Sequence, residues 1–295
     1  MARLVGVVSL PCGTVLDWAV GPCEGKQTGE TALLWSLLEH FKRGDVLIAD
    51  RLYASYFMIA RLMQLGVDVV MRQHQSRQTD FRRGKRLGPR DHWVQWQRPA
   101  RPSWMDEATY AAMPAMLDMR ETRVGGWTLV SSLIDAKSVS KPDLHDLYRK
   151  RWNIELDLRS IKVAMQMDVL RCKTAQMVRK EIAVHLLAYN LVRTVMARAA
   201  CLARVQPRQL SFKGALQTLN AFAQNLRHCL LDSLVQCHAA VLNAIARLVL
   251  PQRPDRAEPR AVKRRPKPHR LLTQPRHIVR ARLEKRKSRI MAGFA

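Results

Sequence analysis

Between residues 4 and 71 short apolar runs alternate with stretches of helical periodicity, and this alternation constrains the fold more than any other feature of the chain. Residues 4–10 and 14–20 are β-rich and meet at Pro11-Cys12-Gly13, which predicts a hairpin. Leu33, Leu34, Leu37, Leu38 and Phe41 then recur with helical spacing over 29–42, and Gly44 ends that stretch. Residues 45–49, Asp-Val-Leu-Ile-Ala, suit a buried strand; a helix over 56–65 and a strand over 67–71 follow. Strand, helix, strand, helix, strand predicts an α/β sheet.

Charge narrows the function. Fifty Lys and Arg against 24 Asp and Glu leave a formal charge of +26 on 295 residues, far beyond what solubility requires, and point to a polyanionic partner. Nucleic acid fits better than an anionic membrane surface, because no lipid-anchoring signal accompanies the charge. The six cysteines include no C-x-x-C pair, so no zinc knuckle or disulfide framework is indicated, which fits a reducing cytoplasm and a nucleoid-associated protein. The apolar opening run stops at Pro11 without an Ala-x-Ala-like site and reads as a strand, not a signal peptide. Residues 229–250 are interrupted by Asp232, Gln236, His238 and Arg247, too polar to span a bilayer. Neither a membrane nor a small-molecule substrate is expected.

Five segments are expected: an α/β part over 1–71, a β-rich basic insertion over 72–140, a long helix and its successor over 141–200, a helical region over 201–250, and a basic tail over 251–295. The insertion carries nine Lys or Arg against two acids over residues 72–101. The tail holds six prolines and fifteen Lys or Arg against three acids over 251–290, which reads as disordered and solvated, with room for a short helix near Leu283.

On the helix opening near Pro142, Tyr148, Arg151, Glu155 and Lys162 stand at i, i+3, i+7 and i+14. At about 100° per residue they fall inside an arc of roughly 60°. Asp157, two residues after Glu155, points to the opposite side and is expected to be a bystander. The same pattern suits the solvated face of an amphipathic helix, where the Arg151–Glu155 pair contributes only ~0.3 kcal/mol. Asp50 follows the apolar run 45–49, a position that suits a ligand at the carboxyl edge of a sheet or, equally, a helix N-cap.

Tyr148-x-x-Arg151-x-x-x-Glu155-x-x-x-x-x-x-Lys162 resembles the Y-R-E-K signature of DDE transposases in the group named after insertion sequence 4, and Asp50-Arg51 resembles the block that holds the second catalytic carboxylate there. The similarity extends over roughly residues 2–195, including Glu181 and Asn190. It implies an RNase H-like core, incomplete at its first strand, with a β-rich insertion and C-terminal helices. It further implies metal-dependent cleavage and joining of DNA at insertion-sequence ends, with Asp50 and Glu155 as catalytic residues and ligands of Mg²⁺ or Mn²⁺. Tyr148, Arg151 and Lys162 would contact the DNA. Of Trp93, Trp96, Trp104 and Trp127, the last is the best placed to stack on an unpaired base, against the plainer reading that tryptophans on a small sheet are core.

The resemblance also implies a first catalytic Asp on a strand ahead of the hairpin that begins at Arg3, and Asp17 is the sole acid in the opening strands. The expectation is therefore an N-terminally truncated copy that neither transposes nor folds robustly alone. Two functions remain: a transposase, working as a homodimer or with an intact relative, or a catalytically inactive DNA-binding fragment that inhibits the intact enzyme.

Overall fold

A computed structural model of the chain describes residues 2–25, 28–228, 231–251 and 274–292. It divides into a unit ending at Leu250 and a second unit from Pro251 onward. The first is mixed α/β. Strands β1 (Ala2–Val8) and β2 (Val15–Pro22) pair as an antiparallel hairpin and form a sheet of their own.

The larger sheet has six strands: β3 (Val46–Ala49), β4 (Asp68–Arg72), β5 (Lys85–Gly88), β6 (Asp91–Gln97), β7 (Met116–Val124) and β8 (Trp127–Ser131). Their order is β3-β4-β8-β7-β6-β5, and only β3 and β4 run parallel. Parallel pairing needs a crossover, supplied by helix α2 (Tyr56–Gln64), whose N-terminus is capped by Ser55. The continuous apolar run Val69-Val70-Met71 is buried on both faces, as expected of a strand covered on both sides. The basic segment 72–140 contributes β5 to β8 to this same sheet, together with a short helix α3 (Glu107–Ala112).

One core joins α1 (Glu30–Trp35) and α2 to the sheet. A second gathers around α6 (Ala175–Ala203), with α7 (Phe212–His228) and α8 (Leu231–Ala246) against it. By length and composition α6 alone among the described helices is apolar enough to cross a membrane, which the sequence reading did not single out. One face of α6 is buried in this core through Ile182, Leu186, Tyr189, Val192 and Met196. The Asn190 side chain joins α6 to the hairpin by bonding both the N–H and the carbonyl of Val15, each at 2.8 Å.

Two expectations need correction. The long helix expected from Pro142 is three segments: α4 (Lys141–Arg149), α5 (Trp152–Arg159) and a π-helical turn (Ser160–Ala164). Ser140 and Asp143 form the capping box that starts α4. At its far end Arg151 N bonds Tyr148 O and Ile154 N bonds Arg151 O, both at 3.0 Å; such i→i−3 bonds tighten the chain between the two helices. In the basic tail, a 17-residue helix α9 (Arg276–Ala292) encloses Leu283 and is longer than the short helix allowed for there, while residues 252–273 of the tail lie outside the described residues.

Candidate active site

Strand pairing brings the ends of three strands together. Ala49 pairs with Met71 in parallel, so Asp50 and Arg72 stand together one step further along. β8 runs antiparallel to β4, with Arg72 opposite Leu129, and its first residue Trp127 therefore reaches the same edge. Leu144 and Tyr148 of α4 pack on Val70 and Leu129, which seats α4 beneath this edge.

From there the side chains form a continuous series. The Arg72 guanidinium stands 5.2 Å over the Trp127 ring, and Trp127 meets Tyr148 edge-on at 6.4 Å. Arg151 lies 5.8 Å from the Tyr148 ring centre and donates from Nη2 to Glu155 Oε1 at 3.3 Å. Burial pushes the Tyr148 hydroxyl above the ordinary tyrosine value; Arg151 and Arg72 pull it down, and the Asp50 charge adds to the rise. Tyr53, beside Asp50, is pushed up to about 12 by burial and by the charges of Glu30 and Asp50.

Trp127, Tyr148, Arg151 and Glu155 thus follow one another in contact, and Asp50 stands at the strand edge from which the series starts. Lys162 follows, exposed on the π-helical turn, where Met165 N bonds Ser160 O. Asp157 was expected to be a bystander on the opposite side of the helix. It does point away from Glu155, but it is fully buried and bound by Arg193 and Arg208. Arg72 escaped the sequence reading altogether; its one signal is its place at the end of a strand parallel to the one before Asp50.

The remaining tryptophans divide by environment. Trp96 is buried and donates to Glu121 at 2.7 Å, Trp104 packs edge-on against Trp35, and Trp127 is 46% exposed. Asp17 pairs with His40. Glu181 accepts from the backbone of Arg171 and Cys172, which holds it below the ordinary glutamate value and closes the loop before α6.

For a divalent cation, Asp50 and Glu155 supply hard oxygen donors of the right kind. Each has one oxygen engaged within the protein: Asp50 Oδ1 accepts from Arg51 N, and Glu155 Oε1 from Arg151. Among the described residues no group of three or more His, Cys, Asp or Glu is arranged to hold a metal, so water or substrate oxygens would complete the coordination.

Residues 13–191, more than half of the chain, match the family described as the transposase DDE domain. The transposase InsG for insertion sequence element IS4 of Escherichia coli is 28% identical over 251 residues. That match covers 81% of this chain and 55% of the relative, so the chain spans little more than half the relative's length.

Proposed function

The chain belongs to the transposase DDE domain family, and from that premise we propose that it cleaves and joins DNA at the ends of an insertion sequence, on an RNase H-like core, using Asp50 and Glu155 with Mg²⁺ or Mn²⁺. The observation that carries this reading is the unbroken series Arg72–Trp127–Tyr148–Arg151–Glu155, whose first member stands by Asp50 at the end of the parallel strand pair. Carboxyl ends of parallel strands hold side chains rigidly beside an open crevice, which is what phosphoryl transfer requires of its ligands.

Asp50 and Glu155 would hold the divalent ions, which when bound would supply activation of an attacking oxygen and stabilisation of the leaving oxygen at phosphorus. The remaining roles fall to the chain itself. Arg151 holds the Glu155 carboxylate and, with Arg72, places two cations where a DNA phosphate approaches. Tyr148 is fixed by burial and can donate its hydroxyl proton to a phosphate oxygen. Trp127 presents an exposed ring to an unpaired base, and Lys162 contributes a further cation one turn beyond α5. Supercoiled plasmid nicked only when Mg²⁺ or Mn²⁺ is present would support this function. A chain that binds DNA yet nicks nothing in either metal would instead favour a DNA-binding role without cleavage, a reading that rests on the lack of a three-acid cluster among the described residues.

Two further results are expected. Duplex binding should weaken with salt, at a slope near −0.9 in log K against log salt for each phosphate neutralised. Removing residues 251–295 should flatten that slope, because residues 251–290 alone carry fifteen Lys or Arg against three acids. A slope unchanged by the deletion contradicts a DNA role for the tail. Trp127→Ala should weaken binding to unpaired DNA roughly 5- to 150-fold, the equivalent of ~1–3 kcal/mol for one stacked base, and leave duplex binding nearly intact. Equal affinities of wild type and variant for a single-stranded oligonucleotide would remove Trp127 from the interface.

A further inference from the structure

Helix α5 carries Glu155 but has little local support. It is eight residues long, has no side-chain N-cap, begins after the tightened turn at residues 150–151 and runs directly into a π-helical turn. Its rotation about its own axis, and with it the direction of Glu155, must be set by contacts on its opposite face. Asp157 is on that face, about 200° around the helix from Glu155.

The Asp157 carboxylate collects donors from two other segments. Oδ1 accepts from Arg193 Nη2 at 2.5 Å, and Arg208 grips both oxygens, Nη1 to Oδ1 at 3.1 Å and Nη2 to Oδ2 at 2.9 Å. The Tyr189 hydroxyl accepts from Arg193 Nε at 2.8 Å and has two acceptors for its own proton, the Gly13 carbonyl at 2.8 Å and Asp157 Oδ1 at 3.1 Å. Arg208 also donates to the carbonyls of Ser9 and Leu10. Gly13 closes the hairpin turn over the cluster at φ +78°; a Cβ there would lie 3.1 Å from Arg193 and from Asp157 Oδ1. One carboxylate thus locks α5 to α6, to the turn at Pro207–Gln209 and to the hairpin.

Two guanidiniums on one buried carboxylate are a costly way to gain stability, since apolar packing does as well, but they define a single geometry. We infer that Asp157, gripped by Arg193 and Arg208, is the positioning residue that aims the Glu155 carboxylate. This rests on Glu155 being a metal ligand.

Mn²⁺ affinity of the full chain, read by the loss of the free-ion electron paramagnetic resonance signal, tests it alongside the thermal unfolding midpoint. Glu155→Gln should lose Mn²⁺ binding. Arg208→Gln leaves Arg193 on Asp157, keeps the fold, and should weaken Mn²⁺ binding about 10- to 100-fold, the effect seen when the support of a metal ligand is removed. Asp157→Asn should weaken it at least as much. Asp91→Asn, which disturbs a different buried ion pair, should lower the unfolding midpoint without changing Mn²⁺ affinity. Wild-type affinity in both Arg208→Gln and Asp157→Asn overturns the inference, as does an equal loss in Asp91→Asn, which would mean that destabilisation alone weakens the site. Wild-type affinity in Glu155→Gln is a separate failure: Glu155 would then not be a ligand, and the positioning role would fall with it.

Discussion

Glu155→Ala and Asp50→Ala will each lower metal-dependent nicking of plasmid DNA by about a thousandfold or more, with salt-sensitive duplex binding retained. Charge stabilisation by catalytic metal ions is worth several kcal/mol at the transition state, and about 1.4 kcal/mol corresponds to each tenfold in rate. The fold should tolerate both changes. The pair between Glu155 and Arg151 is a partly exposed i,i+4 helix pair and contributes only ~0.3–0.5 kcal/mol. Asp50 caps the short turn Arg51–Tyr53, and losing such a cap costs about 1 kcal/mol. The check is nicking rate against Mn²⁺ concentration, with binding followed in parallel by gel shift. A variant that nicks within tenfold of wild type removes that carboxylate from the metal site.

Asp91→Ala will destabilise the first unit by about 3–5 kcal/mol, a large share of the ~5–15 kcal/mol typical of a domain. Arg120 is 1% exposed and holds Asp91 through two hydrogen bonds, Nε to Oδ1 at 2.9 Å and Nη2 to Oδ2 at 2.6 Å. Its third donor, Nη1, reaches the carbonyl of Val139 at 2.6 Å and so ties β7 to the approach to α4. Losing the carboxylate leaves this guanidinium buried without a counter-charge. Replacing both partners with apolar side chains, Asp91→Leu with Arg120→Met, removes the stranded charge and should cost far less than Asp91→Ala alone. Urea unfolding of the two variants checks this. A single variant within about 1 kcal/mol of wild type, less than the usual cost of a stranded buried charge, would mean that water reaches Arg120.

Much of the first 71 residues was legible because its signals are local. The unbroken apolar run Val69-Val70-Met71 can only be a strand covered on both faces, and Pro11-Cys12-Gly13 between two β-rich runs can only turn. Helical periodicity likewise brought Tyr148, Arg151 and Glu155 onto one face, because i, i+3 and i+7 stay aligned even where one turn tightens. Nothing near Lys162 announces the π-helical turn that carries it: no Gly or Pro marks it, and the turn lies where the helix ends against the α6 core. The helix α9 was underestimated for a related reason, since proline content and like charge outweighed its helix-forming residues in the reading of the tail as a whole.

By itself the sequence determined the alternation of strands and helices, the excess of positive charge, the hairpin, and the alignment of Tyr148, Arg151 and Glu155 on one helical stretch. Each depends on spacing within one segment or on charge summed along the chain. Only the tertiary structure decided that Arg72 joins the site, because its place beside Trp127 depends on the antiparallel pairing of β4 with β8, more than fifty residues apart in the chain. Only the tertiary structure, too, turned Asp157 from an apparent bystander into the anchor of α5. Its partners Tyr189, Arg193 and Arg208 follow 32, 36 and 51 residues later. No local pattern distinguishes an aspartate that will be solvated from one that two arginines will bury. That difference appears only once the hairpin, α5, α6 and the turn at Pro207–Gln209 close around the carboxylate and exclude water from it.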